Sequence, residues 1–252
     1  MSAATRPARQ PAPPPDAAAA LAWVDAHRAC FGWSTRAWAQ PWRDFVRAHP
    51  GLHVGDALEL GAGPRSSLAP LLLGLAERVE CSVYDSAALP AVRALNAGLL
   101  DAGHHARLRY SQHDLRTLEG RWDLIAMKSV LGGVFRLHDS RLADVHAMLA
   151  RLVQRNLKPG GLLVTLDNGR TALAPLLARR GARRNGWRLF ARADLPPADA
   201  HYGFGVLGMG SAATRWGAAG ARIDDLLYGC DRLLTPLARQ YAVHLNVYRR
   251  PP

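Results

Sequence analysis

The stretch Asp56-Ala57-Leu58-Glu59-Leu60-Gly61-Ala62-Gly63-Pro64 constrains this chain more than any other. An apolar strand runs into two closely spaced glycines, and Ser66-Ser67 follow where they can cap a helix. Glycine lets the backbone turn sharply and lets a ligand approach the main chain. Glu59 stands at the strand's end, one residue before the turn. The third glycine of the dinucleotide fingerprint G-x-G-x-x-G would fall at Ser66, which argues against a nicotinamide cofactor. A tight strand-to-helix turn can also be purely structural, so the segments after it decide.

Those segments alternate. Strand one covers about Gly55 to Leu60, and a helix from Ser66 places Leu68, Leu71, Leu72 and Leu75 on one face. Strand two, Val79 to Tyr84, ends in Asp85. Its distance from Glu59 is near the ~20 residues that separate a nucleotide loop from a ribose-binding acid. A helix from Ala87 to about Ala102 leads to strand three, Ala106 to Ser111, followed by Gln112-His113-Asp114-Leu115. Strand four is Trp122 to Met127, followed by Lys128-Ser129-Val130-Leu131-Gly132-Gly133. The next helix carries Leu142, Val145, Met148, Leu149, Leu152 and Val153, and stops at Leu157-Lys158-Pro159-Gly160-Gly161. Leu162 to Leu166 is a fifth strand. Such alternation predicts a parallel, doubly wound α/β sheet with its ligand at the carboxyl ends of the strands.

The combined motifs, from Asp56 to Asn168, resemble the class I S-adenosylmethionine (SAM)-dependent methyltransferases. Acid-x-Gly-x-Gly at Glu59, Gly61 and Gly63 is similar to the family's first motif. The Trp122-Asp123 opening of strand four and Leu-Lys-Pro-Gly-Gly-x-Leu before strand five are similar to its later ones. The resemblance implies a Rossmann-like doubly wound sheet, mostly parallel with a last antiparallel strand, here Tyr241 to Tyr248. It implies SAM as cosubstrate, with Glu59, Gly61, Ala62 and Gly63 at the turn. Asp85 and Ser86 would then meet the ribose, Asp114 and Leu115 the adenine, and Lys128 and Ser129 the far end of the cleft.

The flanks complete the domain plan. Residues 1–15 are rich in Ala, Pro and Arg and read as a disordered tail without the apolar core of a signal peptide. Residues 16–50 read as two helices, the first capped by Asp16, broken at Phe31-Gly32-Trp33-Ser34. Trp38, Trp42, Phe45 and Val46 follow at helical spacing, and core packing is the reading that best fits them. In the alternative reading the pair is a lid over the cofactor, with Ser34, Arg36 and Trp42 touching the ligand. Residues 51–252 form the catalytic domain. After strand five, Arg179 to Arg188 is a basic surface and His201 to Met209 a strand or an active-site loop. Gly220 to Leu237 is helical, with Ile223, Leu226, Leu227, Leu233 and Leu234 inward.

Charge and cysteines bound the partners. The net charge of +12 comes almost wholly from arginine, since Lys128 and Lys158 are the only lysines. Apart from Arg179 to Arg188 the arginines are scattered, whereas a nucleic-acid enzyme clusters them. No stretch approaches a membrane span. Cys30, Cys81 and Cys230 are odd in number and far apart, which fits a reducing cytoplasm. The expected partner is a small molecule, with no nucleic acid and no membrane, in a chain compatible with a homodimer.

Methyl transfer from a sulfonium is an in-line displacement that needs positioning more than covalent help. Lys128-Ser129-Val130-Leu131 stands where a nucleobase-amine enzyme carries Asn/Asp-Pro-Pro-aromatic, and no cysteine lies near strand four. No acid follows strand four to complete a metal site with Asp167-Asn168, so no metal is expected. Asn168, Tyr202 and Lys128 are the catalytic candidates, with His201 and His138 behind them. A small-molecule methyltransferase is the leading reading. The alternatives are a SAM-consuming cyclase that releases methylthioadenosine and forms a product such as azetidine-2-carboxylate, an RNA methyltransferase, and a non-enzymatic SAM-binding scaffold.

Overall fold

The structure is a computed structural model that describes residues 16–171, 186–207 and 212–252. The tail at residues 1–15, most of the basic Arg179 to Arg188 run and the end of the His201 to Met209 segment lie outside the described residues. Among those described, seven strands build one sheet. They are β1 (Val54–Leu60), β2 (Ala76–Val83), β3 (Leu108–Gln112), β4 (Trp122–Lys128), β5 (Leu157–Asn168), β6 (Ala200–Phe204) and β7 (Val243–Arg249). Their order across the sheet is β3-β2-β1-β4-β5-β7-β6. β1 to β5 are parallel, and β7 lies antiparallel between β5 and β6.

Parallel strands are covered on both faces, so they read as near-continuous apolar runs. One face carries α1 (Ala17–His27), α2 (Thr35–Ala48), α3 (Ala69–Leu72) and α4 (Leu89–Leu99), around a core that includes Trp38, Trp42, Phe45, Leu71 and Val92. The short α5 (Ala102–His105) leads into β3. The other face carries α6 (Leu131–Val134) and α7 (Leu142–Arg151), packed on Leu58, Ile125, Met127 and Leu163. The chain then returns through α8 (Ala212–Leu234) to β7.

The N-terminal pair is therefore a structural layer. Trp38, Trp42, Phe45 and Val46 fall on one stripe of α2 and are at most 3% exposed. Phe45 meets Tyr202 of β6 edge-on at 6.4 Å. This face of the sheet is the larger apolar surface, and α2 closes it where β6 and β7 extend the sheet.

Three elements depart from expectation. The helix after the glycine turn shrinks to α3, and β2 starts at Ala76. Leu68, Leu71, Leu72, Leu73 and Leu75 are all buried, so this segment has no polar face to run along solvent as a longer helix would. β5 begins at Leu157 and absorbs the Pro-Gly-Gly turn as a register shift against β4. In α8, Leu226 and Leu233 are 69% and 78% exposed, against the inward placement expected for them, and Ile223 and Leu234 are exposed as well.

The late motifs act at the amino end of the sheet. Lys158 Nζ donates to Asp56 Oδ2 and Asp123 Oδ2, each at 2.9 Å, and the Asp56 amide donates to Asp123 Oδ2 at 2.8 Å. One lysine thus clips β1, β4 and β5 together, far from their carboxyl ends.

Candidate functional site

The crossover direction reverses between β1 and β4, and a sheet of this type opens a crevice at that point, at the carboxyl ends of its strands. A cleft of about 730 Å³ lies there. Gly61, Tyr84, Asp114, Leu115, Ser129 and Phe135 are among its lining residues.

Its floor is the glycine turn. Gly61 has φ +78°, the left-handed region that L side chains avoid. The Ala62 amide donates to the Ser82 carbonyl at 2.8 Å, tying the turn to β2. Gly63 and Ser66 exchange main-chain hydrogen bonds at 2.9 and 3.1 Å. Gly63 itself has room for a Cβ, whose nearest neighbour would be the Ser66 carbonyl oxygen at 4.0 Å. The N-terminal layer presses on the same turn. A Cβ on Gly32 would collide with the Arg65 carbonyl, and the Ser67 amide donates to the Cys30 carbonyl at 3.0 Å.

Glu59 does not face the cleft. It is 3% exposed, and its carboxylate accepts from Ser67 Oγ at 2.7 Å and from the Leu68 and Ala69 amides at 2.6 and 2.9 Å. Burial pushes its pKa up, and the Ser67 and Leu68 hydrogen bonds oppose that. Its role is to hold the amides that open α3, which corrects its assignment as a ligand contact. Ser67 is thereby the acid's partner more than a cap of its own.

Asp85 follows Tyr84 at the end of β2 and is exposed, with one oxygen accepting from the Ala87 amide at 3.0 Å. Ser86 opens the exposed 3-10 turn beside it. Asp114 accepts from the Arg116 amide at 2.8 Å on the wall that follows the paired β2 and β3, next to the buried Leu115. On that wall His113 pairs with Glu80 at 2.8 Å, a contact within the sheet.

The ends of β4 and β5 meet. Ser129 has φ +56°, and its amide donates to the Leu166 carbonyl at 2.8 Å. Asn168 Nδ2 donates to Ser129 Oγ at 3.2 Å. The neighbouring Lys128 is 7% exposed, and its Nζ lies 3.5 Å from the ring centre of Trp33 and 4.3 Å from that of Trp38. Burial pushes its pKa down to about 7, against the pull of Cys30, Glu59 and Asp167. Asp167 is 1% exposed and points with Tyr248 to the opposite face. Burial raises its pKa to about 7, although the Leu131 amide and Lys128 favour its charge.

Five other candidates fall elsewhere. Trp42 is 0% exposed in the core under α2, so it has no surface to offer a ligand. Arg36 pairs with Asp225 of α8 and lies over the Tyr228 ring, bridging the two helices. Tyr202 packs on Phe45, and β7 separates its strand from β5, so it does not join Asn168. His201 bonds His244 at 3.0 Å and lines a second cavity of about 700 Å³ with His146, Arg192 and Arg239. His138 is exposed. Sequence reasoning missed the pairing of Lys128 with Trp33 and Trp38. A rare lysine after an apolar strand, in a chain with an N-terminal tryptophan cluster, was the available signal.

No family model matches the chain, and no curated protein matches it. Among solved structures, a chain of the complex between the Haloferax volcanii Trm112 methyltransferase activator and the putative methyltransferase is similar over 92% of this chain and 98% of its own. The two share 17% identity at a TM-score of 0.54. The DhpI-SAM-HEP complex is similar over 64% of this chain and 68% of its own, with 21% identity and a TM-score of 0.42. The glycopeptide N-methyltransferase MtfA complexed with SAM is similar over 52% and 54%, with 22% identity and a TM-score of 0.39. The likeness over nearly the whole length is one of fold: the chain has the Rossmann-like fold of class I SAM methyltransferases.

Proposed function

We propose that this protein transfers a methyl group from SAM to a small molecule. The observation that carries the reading is the left-handed Gly61 turn at the floor of a cleft walled by Tyr84, Asp114 and Leu115. On this reading Gly61, Ala62 and Gly63 bring main chain against the ligand. Asp85 and Ser86 take the ribose hydroxyls, and Asp114 with the Leu115 amide takes the adenine. Residues 51–252 are the catalytic domain, with residues 16–50 covering the cofactor end.

SAM supplies an electrophilic methyl group on a sulfonium. The chain's task is to align the acceptor with it and exclude water. Asn168, held by Ser129 between the ends of β4 and β5, orients the acceptor or the amine of the cosubstrate. Val130, Val134 and Phe135 give the cleft an apolar wall, which suits a small ligand better than a nucleic-acid strand. No described helix is long and apolar enough to cross a membrane. The buried thiols of Cys30 and Cys81 suit the reducing cytoplasm in which we place the protein.

Calorimetry with SAM tests the reading directly. We expect micromolar-range binding and thermal stabilisation that grows with ligand concentration. Stabilisation by NAD with no response to SAM overturns it. With the acceptor present, the product is S-adenosylhomocysteine and turnover needs no nucleic acid; release of methylthioadenosine instead would mark a cyclase.

A further inference from the structure

β6 and β7 carry a polar stripe where the rest of the sheet is apolar. On the face under α7, β1, β4 and β5 present Leu58, Ile125 and Leu163. On the same face β7 presents His244, Asn246 and Tyr248, and β6 places His201 opposite Asn246. His244 and Asn246 are 0% and 3% exposed. His201 Nε2 and His244 Nδ1 share a hydrogen bond at 3.0 Å, and Asn246 Nδ2 donates to Thr165 Oγ1 of β5 at 3.4 Å. Burying an amide and imidazoles costs free energy that an apolar stripe would not, so packing gives no reason for them.

The stripe floors the second cavity, of about 700 Å³. Its wall is the segment that leaves the Arg192–Asp194 turn, where Leu195, Pro196, Pro197 and Ala198 are apolar. Arg192 and Arg239 line it as well and are exposed. Among the described residues neither guanidinium has an acidic partner, and no acid lines the cavity. Asp194, at the end of the turn, is already engaged: it accepts from the Ala191 amide at 2.8 Å and pairs with Arg170 at 3.6 Å. Burial, helped by Arg192, pushes His201 down to about 4. Burial, His201 and Arg192 do the same to His244. Both rings are therefore neutral near pH 7, and the guanidinium charge stands unanswered.

The cavity is separate from the cofactor cleft, with which it shares no lining residue. The strap Arg188 to Phe190 runs between them. Arg188 is 8% exposed and donates from Nε to the Phe135 carbonyl on the cleft side at 3.0 Å, and Phe190 is fully buried.

We propose that this cavity is a second ligand site, for a small molecule with an apolar body and a carboxylate. Arg192 and Arg239 take the carboxylate, which matches the guanidinium fork. The apolar body lies on Leu195 to Ala198, and Asn246 with His201 supplies the few polar contacts that orient it. The inference does not rest on the methyl-transfer reading.

The test uses benzoate as the probe on the full chain. Benzyl alcohol, the ring without the charge, and acetate, the charge without the ring, are the controls. Calorimetry is expected to show benzoate about tenfold tighter than either control. Arg192→Gln with Arg239→Gln, both exposed and clear of the cofactor cleft, weakens benzoate about tenfold and leaves benzyl alcohol within about twofold. Benzoate binds as tightly with saturating S-adenosylhomocysteine as without it. Benzoate that does not bind overturns the inference, and so does acetate that binds as tightly, which marks a general anion effect. Unchanged benzoate affinity in the double variant overturns it too, as does displacement by S-adenosylhomocysteine, which puts the probe in the cleft. Should the double variant fail to fold, the imidazole signals of His146 and His201 in the wild-type NMR spectrum decide. Signals that move with benzoate support the site, and unmoved ones overturn it.

Discussion

Gly61 and Val130 meet where β1 and β4 end side by side: a Cβ on Gly61 would stand 2.6 Å from Val130 Cγ2. The glycine turn is thus held open by its φ and by the segment after β4 at once. A left-handed conformation costs a non-glycine residue roughly 1–2 kcal/mol, and overpacking adds roughly 1–3. Gly61→Val is expected to lower the Tm by several degrees as well as to block the cleft. Gly61→Val with Val130→Ala should recover the packing share only, which thermal unfolding of the two variants measures. Gly63→Ala, where space is free, is expected to unfold like the wild type.

Glu59 is a stability residue. Its loss leaves the Ser67 hydroxyl and the Leu68 amide buried without that acceptor, each about 1–3 kcal/mol, while the Ala69 amide keeps Ser67 Oγ at 3.3 Å. Glu59→Ala is expected to lose several kcal/mol of unfolding free energy, read by urea unfolding. Glu59→Gln, which keeps one oxygen, should fall less. A variant that binds SAM weakly yet unfolds like the wild type would return Glu59 to the ligand.

Asp85 is the converse. It is exposed and holds only the short turn at Ala87, so its removal leaves the fold intact. Charge-assisted hydrogen bonds are worth roughly 1.5–3 kcal/mol each. Asp85→Ala is expected to weaken SAM binding by at least about tenfold with an unchanged Tm. Calorimetry and thermal unfolding on the same sample decide it.

Lys128 and Asp167 give stability two opposed pH limbs. Between its ordinary 3.8 and about 7, Asp167 is ionised in the unfolded chain but protonated in the fold, so stability falls as pH rises. Between about 7 and its ordinary 10.5, Lys128 is charged in the unfolded chain but neutral in the fold, so stability rises with pH. Each limb is worth up to about 1.4 kcal/mol per pH unit. Relative to the wild type, Asp167→Asn is expected to gain most near pH 7 and little at pH 4. Lys128→Met should likewise gain most at pH 7 and little above pH 10. Urea unfolding across that range reads both differences.

Asn168 and Tyr202 separate in turnover. Asn168→Ala removes the group held by Ser129 and is expected to lower kcat and kcat/KM together by about tenfold or more. Tyr202→Phe keeps the ring on Phe45 and is expected to leave kcat within about twofold. Steady-state kinetics with the acceptor in hand checks the pair. The reverse ranking would move the acceptor to the β6 side.

The alternation of strands and helices was legible because parallel strands must be apolar on both faces and each crossover must end in a glycine or proline turn. β1, β4, β5 and the glycine turn follow from that pattern, and the antiparallel direction of β7 is what the family resemblance implied. Segments wholly buried, such as Leu68 to Leu75, carry no periodicity, and the length of α3 was lost there. The exposed leucines of α8 show the opposite failure, an apolar stripe that the described core does not cover.

Sequence alone determined the sheet, its ligand-binding edge and the residue types along that edge, because these depend on local pattern and on chain order. Direction was left to the tertiary structure. It turned Glu59 inward to the amides of α3, sank Trp42 into the core and placed β7 between Tyr202 and Asn168. It also laid Trp33 and Trp38, from the N-terminal layer far upstream in the chain, across the amine of Lys128. A side chain's neighbours come from segments far apart in sequence, and a one-residue change of face exchanges cleft for core. No spacing along the chain encodes which of the two a residue meets.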